Sequence, residues 1–253
     1  MISIIICSIT PEKFGWVSAN FNAILGAVPH EIIGIHDATS LSEGYNRGIA
    51  QSHGEIVIFC HDDIEILTPD FDAVLRRHLQ TFDVVGCVGT NCVIDSAWIV
   101  AGDPFIHGAV AYPAAEIWPS ERFDLAVWGG VQSIVVSDIQ AMDGFFFAVK
   151  RRVLDVLRFD EKNFDGFHVY DTDFTFGAHL AGFKLAVCKD ILIAHQSGGN
   201  FGAEYQTYSA RFAEKHQGRL ASQARNKYKL AMARNLDRAQ ILRMLKPPAT
   251  VRT

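Results

Sequence analysis

Hydrophobic positions in the first third of the chain follow two alternating patterns. Residues 2–7, 31–35, 55–60 and 83–88 form short, nearly continuous apolar runs rich in β-branched side chains, which is typical of strands buried on both faces of a parallel sheet. The stretches between them carry apolar residues at helical spacing, and the first begins with Thr10-Pro11, a helix-start signal. This alternation predicts a layered α/β fold with a mostly parallel central sheet flanked by helices.

The pattern changes after the fourth predicted strand. Residues 102–130 have no clear period and are rich in glycine, proline and aromatic residues, so we expect either a functional loop or an irregular, packed insertion. Further strands and a helix over 171–181 follow. From residue 203 to about residue 245 the pattern is helical, and Pro247-Pro248 ends it. The sequence therefore predicts a C-terminal helical extension on the α/β domain.

Composition limits the class of protein. Of 253 residues, 49% are hydrophobic and 20% are charged, which excludes a mainly disordered chain. No apolar run approaches the roughly 20 residues of a membrane-spanning helix, and the apolar N-terminus lacks the basic flank of a signal peptide. The five cysteines are scattered along the chain, so we expect a reduced, cytoplasmic protein.

Charge is distributed unevenly. The net charge of −5 argues against a nucleic-acid partner. However, the segment from Arg211 to the end holds 11 basic and 2 acidic residues, whereas the remainder holds 12 basic and 26 acidic ones. The basic segment predicts either a solvated helix or peripheral contact with an anionic partner, such as the inner membrane face or the phosphate of a lipid-linked acceptor.

Carboxylates and histidines follow several predicted strands, at the edge where open α/β sheets bind ligands. Asp62 and Asp63 follow the third strand and could hold Mg²⁺ or Mn²⁺, or could simply form a turn. His195 ends a short strand and could ligate a metal, although a single histidine is more often a satisfied polar residue. Asp37 could contact a nucleotide or form a turn in which Ser40 caps the next helix.

Asp171 and Asp173 open a predicted helix. Either they stabilise the helix N-terminus, or one of them is a general base. The chain has no glycine-rich phosphate loop of the Walker or dinucleotide-binding type. Nucleotide binding would therefore depend on carboxylates and a metal.

Taken together, these segments resemble the family-two glycosyltransferases of GT-A fold, in particular a bacterial glycosyltransferase-like subgroup. The resemblance spans residues 2–199 and follows the order of the family's motifs. In the first half it is carried by Ile4–Ser8, Asp37–Ser40, Tyr45–Ala50, Gly54–Phe59 and His61-Asp62-Asp63, the last of which stands at the Asp-x-Asp motif. In the second half it is carried by Asp143–Arg151, Phe159-Asp160-Glu161, Tyr170–Phe174, Ala181–Lys184 and Ala194–Gly199.

The resemblance implies a GT-A (Rossmann-like) domain over residues 1–202 and a basic helical extension over 203–253. It implies an inverting enzyme that transfers one sugar from a nucleotide-diphosphate sugar to a hydroxyl of a glycan or lipid-linked acceptor. Transfer of a single sugar is expected because the Gln-x-x-Arg-Trp motif of processive synthases is absent. The aromatic residues between Phe105 and Trp128 are candidates for stacking on an acceptor sugar.

The resemblance also implies residue roles. Asp63 and His195 would bind Mn²⁺ or Mg²⁺, and Asp171 would be the catalytic base, with Asp173 the next candidate. The implied donor contacts are Ser8, Thr10, Asp37, Asn46, Asp62, Asp143 and Gly144.

Two residues depart from the family pattern: His61 replaces the first Asp of Asp-x-Asp, and Tyr170 replaces a Glu before the base. They favour an alternative, a non-catalytic nucleotide- or sugar-binding module derived from a transferase. A nucleotidyltransferase is a further alternative, although the segment after the first strand lacks the usual glycine-rich loop.

Overall fold

The computed structural model describes residues 1–115, 118–199, 201–222, 227 and 229–245. Over these residues the chain forms two β-sheets and seven α-helices. The helices are α1 (Pro11–Leu25), α2 (Leu41–Gln51), α3 (Phe71–Thr81), α4 (Arg151–Leu154), α5 (Tyr170–Leu180), α6 (Ala203–Lys215) and α7 (Arg238–Met244). The strands are β1 (Ile2–Cys7), β2 (His30–Ile35), β3 (Ile56–Cys60), β4 (Ile64–Ile66), β5 (Val84–Gly86), β6 (Val88–Thr90), β7 (Ile106–Pro113), β8 (Arg122–Trp128), β9 (Val135–Val136), β10 (Ala141–Met142), β11 (Phe146–Lys150), β12 (Leu185–Cys188), β13 (Ile193–His195) and β14 (Ala231–Asp237).

The first sheet has the strand order β2-β1-β3-β11-β5-β12-β9. Strands β1, β2 and β3 are parallel, as predicted, but β11 is antiparallel to both of its neighbours, so the sheet is mixed. Because β11 runs opposite to β3, it starts where β3 ends, and the amide of His61 donates a hydrogen bond to the carbonyl of Phe145 (3.0 Å). This reversal brings Asp143 and Gly144 to the carboxyl end of β3.

Side chains of the first sheet alternate between two cores. Ile4 and Ile58 face α1 and α3, whereas Ile5 and Phe59 face α2, α5 and α6. The predicted helix starts are confirmed: Pro11 stands in the first turn of α1, and the Ser40 hydroxyl accepts a hydrogen bond from the amide of Glu43 (3.0 Å) at the start of α2. Within the described residues, no helix is both long enough and apolar enough to cross a membrane.

The second sheet corrects the prediction for residues 102–130. These residues contain β7 and β8, which pair as an antiparallel hairpin. The second sheet has the strand order β10-β6-β7-β13-β4, and β8 lies off this path, where it pairs with β7 and with β14. The period-two signal is weak because most residues of both strands are buried, on either face. Phe123 and Trp128 are core residues and cannot stack on a ligand.

The C-terminal segment also differs from the prediction. Residues 203–215 and 238–244 are helical, but residues 231–237 form β14, which pairs antiparallel with β8. An open edge of β8 supplies backbone partners, and these override the helical pattern of the segment. Helix α6 buries Tyr208 and Phe212 in the core that contains α5. The domain division at residue 202 stays a prediction, and Pro247-Pro248 lies outside the described residues.

Candidate active site

Three potential metal ligands converge where β3 and β13 end. His61 and Asp63 follow β3. His195 is the last residue of β13 and pairs with Ile64 of the neighbouring strand β4. His195 Nε2 lies 3.3 Å from Asp63 Oδ1 and 3.3 Å from His61 Nδ1, and the remaining pair, His61 Nδ1 and Asp63 Oδ1, lies 3.9 Å apart. Donor atoms about 2.1 Å from one ion lie about 3.0–3.5 Å apart in tetrahedral or octahedral geometry. Two of the three separations fall in this range and the third, between His61 and Asp63, exceeds it by about 0.4 Å, so small side-chain movements would let the three hold a single divalent cation.

Neighbouring groups hold this cluster in place. The Phe145 ring stacks on the His195 imidazole, with centroids 4.8 Å apart. The backbone amide of Ser197 donates a hydrogen bond to Asp63 Oδ2 (3.2 Å). Burial alone would raise the pKa of Asp63, but the hydrogen bonds from His195 and Ser197 outweigh it and hold this pKa well below its usual value. Asp63 is therefore a carboxylate at neutral pH.

His61 is oriented from the opposite side by Tyr170. The His61 Nε2 atom lies 2.9 Å from the Tyr170 hydroxyl. Burial, and then the nearby His195, lowers the pKa of His61, which favours the neutral imidazole that binds metals. With its proton on Nε2 and directed at Tyr170, the ring presents the Nδ1 lone pair to Asp63 and His195.

Asp171 lies one residue beyond Tyr170, in the first turn of α5. Its Oδ2 atom accepts a hydrogen bond from the Gly144 amide (2.6 Å). Gly144 has no room for a side chain, because a Cβ atom there would collide with Tyr170 and Asp171. Burial, and then the charge of Asp143, raises the pKa of Asp171 to about 7. A carboxyl group with such a pKa can accept a proton near neutral pH.

A cavity of about 130 Å³ joins these groups. Among the residues that line it are His61, Asp143, Tyr170 and Asp171. Asp143 is held by the Trp98 indole, whose Nε1 donates a hydrogen bond to Asp143 Oδ2 (2.8 Å). The cavity therefore places a metal ligand beside the candidate base.

Three of the predicted donor contacts lie together beside this cluster. The Ser8 hydroxyl donates a hydrogen bond to Asp62 Oδ2 (2.6 Å), and the Ser8 side chain also contacts the backbone of Thr10. Lys13 Nζ lies 4.0 Å from Asp62 Oδ1. The carboxyl ends of β1 and β3 thus form a polar edge next to Asp63.

Two other predicted donor contacts, Asp37 and Asn46, bond to neighbouring protein residues. Arg47 binds Asp37 (2.6 Å) in an exposed ion pair, and this hydrogen bond lowers the pKa of Asp37. The Asn46 side chain links α2 to the carbonyl and amide of Phe159 and to Glu161. The structure does not bring Asp37 or Asn46 into the metal cluster.

Asp173 also faces away from the cavity. Its carboxylate is buried and contacts Lys215 Nζ (2.8 Å) and His216 Nε2 (2.8 Å). Lys215 also binds Asp160 (2.7 Å). Asp173 therefore ties α5 to the end of α6.

Sequence reasoning missed His61 as a candidate metal ligand and Tyr170 as its hydrogen-bond partner. A signal was present for His61, because it stands in the Asp-x-Asp register, two residues before Asp63 and directly after β3. No local signal linked His61 to Tyr170 or Trp98 to Asp143, because these pairs are 109 and 45 residues apart in the chain.

A family model described as "Glycosyltransferase like family" matches residues 3–216. The chain belongs to this glycosyltransferase-like family. The match includes His61, Asp63, Asp171 and His195 and extends through α6. No curated protein matches the sequence.

Several solved structures are similar to the chain at low sequence identity. A mannosyltransferase, PcManGT from Pyrobaculum calidifontis, in complex with GDP-Man and Mn²⁺, has 12% identity and a TM-score of 0.47, and the match covers 84% of this chain and 61% of that one. GalNAc-T7 with UDP, GalNAc and Mn²⁺ has 12% identity and a TM-score of 0.47, covering 85% and 47%. A protein from STIV has 14% identity and a TM-score of 0.42, covering 78% and 86%. The family membership rests on the family model and not on these structures.

Proposed function

We propose that this protein is a metal-dependent glycosyltransferase that moves one sugar from a nucleotide-diphosphate sugar to an acceptor hydroxyl, with inversion. The observation that carries the proposal is one cavity lined both by His61, a member of the metal-ligand cluster, and by Asp171, a carboxyl group of pKa about 7. The acceptor is a glycan or a lipid-linked glycan.

His61, Asp63 and His195 would hold the metal. When bound, the ion supplies positive charge that stabilises the leaving diphosphate. Two imidazole nitrogens and one carboxylate suit Mn²⁺ better than Mg²⁺, which prefers oxygen ligands and retained water. Of the two ions that the sequence suggests, we therefore propose Mn²⁺. Ser8 and Asp62, at the adjacent polar edge, would contact the nucleotide.

Asp171 would take the proton of the acceptor hydroxyl. The Gly144 amide fixes the Oδ2 atom of Asp171, and the acceptor hydroxyl would approach this carboxyl group from the cavity that Asp171 lines. One base on the side opposite the leaving group supports in-line attack at the anomeric carbon and therefore inversion of that carbon.

Thermal denaturation with UDP, GDP, dTDP or CMP, each with and without Mn²⁺, tests the donor site. We expect one nucleotide to raise the melting temperature, and only with Mn²⁺. Asp63→Asn is the control and should abolish that shift. If no nucleotide gives a shift, the donor-site proposal fails. If a shift occurs but no sugar reaches any acceptor or water, the chain is the non-catalytic module.

We also propose a cytoplasmic location with peripheral membrane contact through the basic C-terminal segment. Lys229 and Arg234, which are largely exposed, belong to this segment. Co-sedimentation with vesicles that contain phosphatidylglycerol should fall when both residues are changed to glutamate. If the variant binds these vesicles as well as the wild type does, or if the wild type binds neutral vesicles equally well, the proposed membrane contact is contradicted.

A further inference from the structure

Two carboxyl groups face the candidate active site from different elements. Asp171 lies in the first turn of α5, and Asp143 lies in the connection between β10 and β11. Both side chains line the same cavity. Because two carboxylates that share a cavity repel each other, an unrestrained Asp143 side chain would turn away from Asp171. Other groups must therefore hold Asp143 in its place.

Both oxygens of the Asp143 carboxylate accept hydrogen bonds. Oδ2 accepts one from Trp98 Nε1 (2.8 Å), and Oδ1 accepts one from the backbone amide of Phe145 (3.1 Å). The bond from Phe145 is local, because it joins residues two apart and closes a turn. The bond from Trp98 spans 45 residues of chain. It is the tertiary contact that fixes the direction of the carboxylate.

The backbone on either side of Asp143 is docked on α5. The amide of Met142 donates a hydrogen bond to Thr175 Oγ1 (3.0 Å), and the amide of Gly144 donates one to Asp171 Oδ2 (2.6 Å). Asp171 and Thr175 stand one helical turn apart. This backbone is therefore fixed against the helix that carries the candidate base, and the side-chain torsions of Asp143 are what Trp98 constrains.

A neighbouring indole shows that burial alone does not account for the bond from Trp98. Trp128 packs edge to face against Trp98, with ring centroids 5.3 Å apart, and both side chains are buried. Trp128 Nε1 is buried and has no hydrogen-bond partner among the residues that the structure describes. An indole N–H without an acceptor is thus tolerated in this core, although it costs free energy. The pairing of Trp98 with Asp143 is more than a requirement of packing.

We propose that Trp98 is a positioning residue that holds the Asp143 carboxylate beside Asp171. Trp98 acts through Asp143 and takes no proton itself. Its importance for transfer rests on the proposed function, in which Asp171 is the base.

The position of the Asp143 charge affects the proton affinity of the base. Burial, and then the charge of Asp143, raises the pKa of Asp171 to about 7. If the Asp143 carboxylate turned away, the effect of burial would remain and the pKa of Asp171 would fall. The other titratable groups around Asp171 are His61 and His168 on the cavity wall, Tyr170 on α5 and Tyr45 on α2.

The test is the titration of Asp171 in the full chain, without metal or substrate. Protein labelled with ¹³C at the aspartate carboxyl groups is titrated by NMR, and the Asp171 signal is the one that Asp171→Asn removes. Trp98→Phe keeps an aromatic ring and loses the N–H, so we expect the pKa of Asp171 to fall by about 1, the lower end of the effect of one nearby charge. Trp128→Phe makes the same chemical change in the neighbouring ring and should leave this pKa unchanged.

Asp143→Asn shows whether Trp98 acts through Asp143. This variant removes the charge and should itself lower the pKa of Asp171, and adding Trp98→Phe to it should lower that pKa no further. The proposal is overturned if Trp98→Phe leaves the pKa of Asp171 unchanged, if Trp128→Phe lowers it equally, or if Trp98→Phe lowers it as much in the Asp143→Asn background. If Trp98→Phe does not fold, Asp143→Asn decides, and an unchanged pKa of Asp171 overturns the proposal.

These titrations use no sugar donor, which separates the proposal from the proposed function. If Asp171 titrates as expected and no sugar is transferred, the proposed function fails and the positioning of Asp143 by Trp98 stands. If transfer occurs, Trp98→Phe should move the acid limb of the kcat/KM profile to lower pH and keep the nucleotide-induced rise in melting temperature. An acid limb that stays in place would overturn the proposal.

Discussion

His61 Nε2 and the Tyr170 hydroxyl lie 2.9 Å apart, across 109 residues of chain. These are the two positions at which the sequence departs from the family pattern, and the structure joins them in one hydrogen bond. A metal-binding histidine usually donates its second ring N–H to a hydrogen-bond acceptor, which fixes the tautomer and the ring orientation, and the Tyr170 hydroxyl oxygen stands in that place. We interpret the two departures as one matched change at the metal site rather than as loss of function.

Removing the Tyr170 hydroxyl should weaken metal binding. For Tyr170→Phe we expect the Mn²⁺ dissociation constant to rise about 10-fold, the lower end of the effect of such partners, because His61 loses the contact that orients it. Mn²⁺ titration monitored by electron paramagnetic resonance measures this directly. Tyr208→Phe removes a hydroxyl that bonds to Asp165, outside the cluster, and is the control. Equal affinities for Tyr170→Phe and the wild type would show that Tyr170 does not support the ligand.

Replacing His61 by aspartate should change which metal the site accepts. His61→Asp adds an oxygen ligand, so we expect the preference for Mn²⁺ over Mg²⁺ to fall, with Mg²⁺ then supporting the nucleotide-induced rise in melting temperature. His61→Ala removes the ligand and should weaken both metals. An unchanged Mn²⁺ to Mg²⁺ ratio in His61→Asp would remove His61 from the ligand set.

Activity should depend on the ionisation of Asp171. The base must be deprotonated to act, so kcat/KM should rise with pH and level off above the pKa of about 7. Asp171→Asn should retain nucleotide affinity and lose transfer by at least about 100-fold. Transfer that persists in Asp171→Asn would assign the base to another residue.

The same group predicts a pH dependence of stability. Its pKa is raised in the folded state from 3.8 to about 7, so between these values the folded chain holds a proton that the unfolded chain has lost. The free energy of unfolding therefore falls as pH rises across this window. Asp171→Asn should raise the melting temperature at pH 8 and have little effect near pH 3.5. An equal shift at both values would contradict the raised pKa.

Asp173 should be structural and not catalytic. Asp173→Ala leaves Lys215 and His216 without their buried partner, and such losses cost about 3 kcal/mol. We expect a lower urea midpoint with the acid limb of the pH–rate profile unchanged. Asp165→Ala breaks the exposed pair with Arg211 and is the matched control, with little effect. A shifted acid limb in Asp173→Ala would instead make this residue part of the proton transfer.

Much of the fold follows from local pattern. The runs at residues 2–7 and 55–60 predicted β1 and β3 within one residue, because strands buried on both faces must be continuously apolar. The same reasoning failed for β7, β8 and β14. In β7 and β8 burial on both faces removed the alternation, and His107, Gly108 and Asp124 interrupt the continuous apolar run, so neither strand pattern is met. In β14 pairing with β8 overrode the local helical pattern.

The sequence by itself determined the α/β class, the family and the segments that carry polar residues, because strand ends, helix starts and motif order are local properties. Tertiary structure alone decided which of those residues meet. It brought His61, Asp63 and His195 within reach of one ion and Asp171 beside them, and it turned Asp173 toward α6 and Asn46 toward Phe159. The physical reason is that these contacts join segments far apart in the chain. They depend on the antiparallel direction of β11 beside β3 and on which face of α5 is turned toward the cavity.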